Sequence, residues 1–172
     1  VAKWDWDFGD SSAHDTTQNP SHYYGKSGTY YVKLKSYSDK GCVDSITSPI
    51  IISPIPKPNF TFVGTCDDFE TTFYNTSTVD APSDINASSF AWDFGDGFGK
   101  KYEMNPTYTY SNPGTYKITL TVTTEEGCTA TIQKFITIFA LPKAEFQNTD
   151  ACFGEATLFY DKSDKVDGRY LN

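Results

Sequence analysis

The chain has 172 residues, with 14 basic against 22 acidic side chains and a net charge of −8. No run of Lys or Arg could neutralise a phosphate backbone or an anionic lipid surface, so no nucleic-acid partner and no membrane insertion is expected. No apolar stretch approaches the roughly 18 residues of a spanning helix, and no cleavable signal segment is read, so export or anchoring is expected to lie outside this sequence.

The first strand runs into Trp6-Asp7-Phe8-Gly9-Asp10. Trp6 and Phe8 alternate onto one buried face, and Gly9-Asp10 reads as a tight turn, Gly at positive φ and Asp accepting backbone N–H bonds. Gly28 turns the chain into a strand with Tyr30, Val32 and Leu34 on one side, whose alternation is lost near Ser36. A closing strand runs from Ile46 to Ile52. Pro54-Ile55-Pro56-Lys57-Pro58 then leaves a short, stiff joint rather than a Gly/Ser tether. Beyond it, strands are expected near 58–63, 69–75, 88–94, 101–103, 107–110, 115–124 and 130–139. Trp92-Asp93-Phe94-Gly95-Asp96 takes the part of the first Trp-Asp-Phe-Gly-Asp, and Gly114 that of Gly28. In the longest strand Tyr116, Ile118, Leu120 and Val122 alternate with Lys117, Thr119, Thr121 and Thr123. With 12 Tyr, 13 Phe and 3 Trp, and no capped helical stripe longer than a turn or two, the reading is an all-β sandwich.

These elements recur at a constant offset of 86 residues, half the chain. Trp6 to Asp10 returns as Trp92 to Asp96, Pro20 as Pro106, Tyr24 as Tyr110, and Gly41-Cys42 as Gly127-Cys128. Pro56-Lys57 returns as Pro142-Lys143, Phe60 as Phe146, Cys66 as Cys152, and Phe73-Tyr74 as Phe159-Tyr160. Ser11 stands where the other copy has Gly97, so that turn is expected to differ. Residues 56–141 then form one complete module, 1–55 the last two thirds of another, and 142–172 a first third. Joining Asp167-Gly168-Arg169-Tyr170-Leu171-Asn172 to Val1 reads as a turn entering the next Trp-Asp-Phe-Gly-Asp strand. The expectation is therefore a tandem array, a rod or filament in which 142–172 is completed by residues 1–55 of the next copy. Its rival is a separate polypeptide donating strands to its neighbour without a covalent link. The Cα atoms of Asn172 and the next Val1 would lie about 3.8 Å apart only in the first. An isolated chain is expected to aggregate or exchange strands.

Four cysteines at repeat-equivalent positions point to one disulfide per module in an oxidising compartment. A zinc site lacks Cys-x-x-Cys spacing and nearby His. Cys66 with Cys128 spans 62 residues, as does Cys152 with Cys42 of the next copy (42 + 172 − 152), and those are the expected pairs.

Trp-Asp-Phe-Gly-Asp, then Asn19-Pro20-Ser21-His22-Tyr23-Tyr24 or Asn105-Pro106-Thr107-Tyr108-Thr109-Tyr110, then Gly-Thr-Tyr, resembles the PKD (polycystic kidney disease) domain, an immunoglobulin-like sandwich. The resemblance covers the middle module and both partial ones. The added Gly-Cys and upstream Cys look like the disulfide-bearing version in long surface adhesins of gliding and biofilm-forming Bacteroidota. The resemblance implies an extracellular, cell-surface spacer and adhesion module. It also makes Thr16, in Asp15-Thr16-Thr17, and Ser45, in Asp44-Ser45-Ile46, look like O-glycan acceptors.

Asp5, Asp7, Asp10, Asp93 and Asp96 have the chemistry of paired catalytic carboxylates or calcium ligands, but without a dense Asp/Asn loop they read as turn and strand-edge acceptors. His22 occupies the place of Tyr108 and reads as a packed aromatic. No nucleophile stands beside a base, so no enzyme activity, cofactor or metal is expected. Two functions remain, a structural spacer whose partners are neighbouring copies, and a module binding polysaccharide or protein through Tyr23, Tyr31, Tyr37, Phe98 and Tyr102. A contiguous exposed aromatic patch favours the second, and scattered buried rings the first.

Overall fold

The computed structural model describes residues 1–164, so the expected junction at Asp167 to Asn172 lies outside the described residues. By contact the chain divides into two compact units. One comprises residues 1–58, 77–89 and 122–130, the other 59–76, 90–121 and 131–172.

In the first unit, β1 (Lys3–Asp7), β2 (Gly28–Tyr37) and β3 (Val43–Ile52) form an antiparallel sheet in the order β1-β2-β3. The register sets Trp6 opposite Leu34 and Leu34 opposite Ile46, while Asp5, Lys35 and Ser45 line up one residue away. Because side chains alternate with period two, this register puts the apolar set on one face and the charged set on the other. The joint that follows is held down. Pro54 and Pro56 are buried, Lys57 and Thr78 exchange two backbone hydrogen bonds, and the Lys57 ammonium lies 2.8 Å from Asp80.

In the second unit, β4 (Phe60–Val63), β5 (Glu70–Asn75) and β8 (Thr107–Thr109) form one sheet. β6 (Ser89–Asp93), β7 (Lys100–Lys101), β9 (Gly114–Thr123) and β10 (Thr129–Ile138) form another, in the order β10-β9-β6-β7, with the ends at 89, 122–123 and 129–130 counted in the first unit. Each of the seven strands expected here forms, with ends displaced by one or two residues. Between the sheets, Phe60 and Phe73 from β4 and β5 meet Trp92 from β6 at ring distances of 5.1 and 5.7 Å, and Phe73 meets Phe94 at 5.2 Å. These four rings are completely buried, with Ile118 and Leu120. The buried Trp92 indole N–H finds its partner in the Glu103 carbonyl, 3.0 Å away.

The Gly-Asp turns behave as their residues require. Asp7 and Asp93 accept the N–H of Gly9 and Gly95 at 3.0 Å, and both glycines sit at positive φ, +76° and +78°. A Cβ at Gly9 would come within 2.6 Å of the Tyr31 carbonyl oxygen, and one at Gly95 within 2.5 Å of that of Lys117. Only glycine fits both constraints. The Ser11 turn, expected to differ, keeps the left-handed conformation of Gly97, at φ +65° against +83°. Asp10 makes this tolerable by accepting both the N–H and the hydroxyl of Ser12, a local bond that holds the turn.

The cysteine pairing is corrected by the structure. All four thiols are free. Cys66 is bridged to Phe139, just beyond the end of β10, whereas Cys128 immediately precedes β10. Ten residues of extended chain, about 33 Å, therefore separate the two, against the roughly 7 Å limit between bonded Cα atoms. By the repeat, a strand of the same length, β3, follows Cys42 as β10 follows Cys128.

Candidate functional site

The last described segment forms a hairpin, β11 (Phe146–Asn148) with β12 (Phe159–Asp161). Its register, Phe146 opposite Asp161 and Asn148 opposite Phe159, is that of β4 and β5 moved by 86 residues, Phe60 opposite Asn75 and Phe62 opposite Phe73. The ring pair is reproduced too. Phe146 and Phe159 lie 5.9 Å apart at 56°, Phe60 and Phe73 6.3 Å apart at 57°. Their environments differ completely. Phe60 and Phe73 are 0% exposed, Phe146 and Phe159 66% and 69%.

The first unit holds an open surface of its own. A groove of about 510 Å³ is lined by Trp6, Phe8, His22, Tyr24, Leu34 and Ile50 among others. Shifted by 86 residues, these become Trp92, Phe94, Tyr108, Tyr110, Leu120 and Ile136, of which Trp92 and Phe94 meet Phe60 or Phe73 in the complete module. Where Trp92, Leu120 and Ile136 are buried, Trp6, Leu34 and Ile50 remain partly exposed. The Trp6 indole nitrogen is itself buried yet has no hydrogen-bond partner, unlike that of Trp92. Groove and hairpin thus each carry, at the 86-residue offset, part of the residue set that forms the aromatic core of residues 56–141.

Beside the groove runs an aromatic ladder common to both repeats. Phe8 stacks on His22 at 4.0 Å, His22 meets Tyr24 edge-on at 4.6 Å, and Tyr24 lies 4.3 Å from Tyr30. Phe94, Tyr108, Tyr110 and Tyr116 repeat it at 4.0, 5.0 and 4.3 Å. Tyr24 donates to the Phe8 carbonyl and Tyr110 to that of Phe94, tying the ladder to the strand before the turn. His22 is indeed a packed aromatic. Its Nε2 lies 2.7 Å from Asp10, as the Tyr108 hydroxyl donates to Asp96.

These contacts set the titration of the ladder. Bonds from the Ser12 hydroxyl and then from His22 hold the Asp10 carboxyl down to about 2. Burial, then the Asp96 hydrogen bond, pushes the Tyr108 hydroxyl up to about 12, and burial raises Tyr110 as well. The fold therefore favours neutral phenols. Their contribution is intact below the ordinary tyrosine value of 10.0 and is lost as the pH climbs through about 12. Spectroscopic titration of the folded chain is expected to show a late tyrosinate step that Tyr108→Phe diminishes. Full ionisation of every tyrosine near the ordinary value would contradict the ladder.

Asp5 and Asp96, the other candidate carboxylates, are engaged locally. Asp5 meets the His14 Nδ1 at 2.7 Å and Lys35 at 3.9 Å, and Asp96 accepts the Phe98 N–H at 3.0 Å. Thr16 and Ser45 are exposed, Thr16 in a loop and Ser45 within β3. Gly28 and Gly114 open β2 and β9. Of the aromatic residues considered for binding, Tyr23, Tyr31, Phe98 and Tyr102 are exposed, whereas Tyr37 is half-buried with the Lys3 ammonium over its ring. Among the described residues, no helix is long and apolar enough to cross a membrane.

The PKD domain model matches residues 1–52 and 55–139. The chain is 36% identical over 101 residues to the pre-pro-metalloprotease PrtV of Vibrio cholerae serotype O1, covering 57% of this chain and 10% of that protein. It is 39% identical over 70 residues to a microbial collagenase of Vibrio alginolyticus, covering 41% of this chain and 8% of that protein. The chain thus spans about a tenth of the length of the curated relatives it matches. Among solved structures, the PKD1 domain of Vibrio anguillarum Epp is 31% identical, covers 51% of this chain and 96% of its own, and has a TM-score of 0.44. The PKD1 domain from the Vibrio cholerae metalloprotease PrtV is 33% identical, covers 51% and 98%, and has a TM-score of 0.40.

Proposed function

The chain belongs to the PKD domain family, and we propose that it serves as a structural repeat of an extracellular filament or long surface adhesin, a spacer that carries adhesive or gliding function along a stiff rod. The observation that carries this reading is the match between the groove in residues 1–55 and the hairpin of residues 142–164. The hairpin's register and ring geometry are already those of the complete module, and its Phe pair is exposed for want of a core. The occupant of the groove is residues 142–172 of another copy, and tandem repetition supplies it at every second module. A rod also needs joints that resist bending. Buried Pro54 and Pro56 and the Lys57–Thr78 bridge supply that stiffness locally. This role requires no catalytic group.

Exposure of Tyr23, Tyr31, Phe98 and Tyr102 supports a second reading, a module that binds polysaccharide or protein. Their counterparts 86 residues away are Thr109, Lys117, Ser12 and Thr16, so such a surface would recur only in alternate modules, which favours the spacer. Imaging native surface filaments tests the spacer. A module of seven to nine residues per strand is about 25 to 40 Å long with its loops, so the axial repeat of two is expected at about 50 to 80 Å. Surface material without that periodicity would overturn the reading.

A further inference from the structure

Resting on the tandem reading above, we infer that a disulfide crosses each joint between successive modules, linking the loop cysteine of one module to the hairpin-turn cysteine of the next. Cys66 would pair with Cys42 of the next copy, and Cys152 with Cys128 of the next copy. Three observations converge on this connectivity.

The first is where the loop cysteine lies. Cys66 forms a parallel bridge with Phe139, in which the Phe139 N–H donates to the Thr65 carbonyl and the Asp67 N–H donates to the Phe139 carbonyl, at 2.7 and 2.9 Å. Phe139 follows the last strand of its module. The loop cysteine therefore belongs to the end from which the chain leaves.

The second is where the turn cysteine lies. Cys128 precedes β10, at the opposite end of the module, and its Sγ rests 3.8 Å from the carbonyl oxygen of Ser53. Ser53 is the residue 86 positions before Phe139 and has the same place after the last strand of the preceding module. In that module, the counterpart of Cys66 is filled by Cys152 of a preceding copy. Bridged as Cys66 is to Phe139, it would lie one strand spacing, about 4.8 Å, from Ser53. The two sulfurs would then be brought to the same carbonyl, from opposite sides of the joint.

The third is that both turns present their cysteine in one way. Thr124 donates its N–H to the Cys128 carbonyl and accepts the Cys128 N–H on its hydroxyl, and Ser38 does the same for Cys42. The thiol is thus positioned by a closed turn in either repeat, as a bond at every joint demands. Each closed loop spans 148 residues (42 + 172 − 66, and 128 + 172 − 152), longer than the 86-residue period, so consecutive loops interlock along the array.

Formation takes two thiols and one disulfide oxidant, such as oxidised glutathione. Two thiolate exchanges transfer two electrons to the oxidant, which leaves as two thiols with the two protons, and a single Sγ–Sγ bond remains.

The test is a chain of two full copies, Asn172 joined to Val1, oxidised with glutathione disulfide and mapped by peptide mass spectrometry. Its eight cysteines are expected to give two bonds, first-copy Cys66 to second-copy Cys42 and first-copy Cys152 to second-copy Cys128. The other four are expected to stay open to alkylation, because their partner modules are absent. Cys66→Ser in the first copy should free second-copy Cys42 alone. Bonds between Cys66 and Cys128 of one copy, or eight free thiols in a chain whose joined module is protected from hydrogen exchange, would overturn the disulfide while leaving the array intact. An unprotected joined module would overturn both.

Discussion

Replacing Trp92 by alanine is expected to destabilise the complete module by about 3–5 kcal/mol, the range for removing a large aromatic side chain from a packed core. Trp92 is fully buried, touches Phe60 and Phe73, and satisfies its own N–H on the Glu103 carbonyl. Its removal leaves a cavity between two sheets whose backbone pairing resists collapse, and an unpaired carbonyl beside it. The same substitution at Trp6 should cost far less in the single chain. One side of that indole faces the open groove, and its nitrogen has no partner to lose. Equilibrium unfolding in denaturant, read through the loss of the cooperative transition, separates the two. Equal losses for Trp6→Ala and Trp92→Ala would mean that the first repeat is already a finished core.

Joining two copies should produce the larger change in the first repeat. Once residues 142–172 are followed by another Val1, Phe146 and Phe159 are expected to fall from 66% and 69% exposure towards the 0% of Phe60 and Phe73. Burying them contributes about 1.5–3 kcal/mol per ring, before the groove residues that they cover are counted. The expected readout is strong protection from hydrogen exchange over 146–161 of the first copy and 28–52 of the second, where the single chain exchanges quickly. The single chain should itself self-associate or swap the hairpin, since it exposes both an apolar face and unpaired strand edges. A monomeric single chain with both segments protected would refute the complementation.

The strands and turns were legible because their causes are local. The alternation of Tyr116, Ile118, Leu120 and Val122 specifies which face is buried, and Gly95 beside Asp93 and Asp96 specifies a turn with positive φ. Repetition made these readings stronger, since each element appears twice with compatible residues. Even there, local chemistry misled once. Ser11 looked like a departure from Gly97, but its side of the turn is held by Asp10 and Ser12, and the left-handed conformation persists.

The sequence by itself determined the sandwich class, the 86-residue period and the face on which each aromatic lies, because side-chain alternation and turn stereochemistry depend only on neighbours in the chain. Only the tertiary structure decided which ends of the strands meet. Cys66 and Cys128 have matching spacing in both copies, but β10 runs between them, and ten extended residues put them out of reach. The incomplete modules were an expectation of the 86-residue period, but no single residue shows its own burial. Phe60 and Phe146 are the same amino acid in the same hairpin register, and only the presence or absence of an opposing sheet makes one buried and the other exposed.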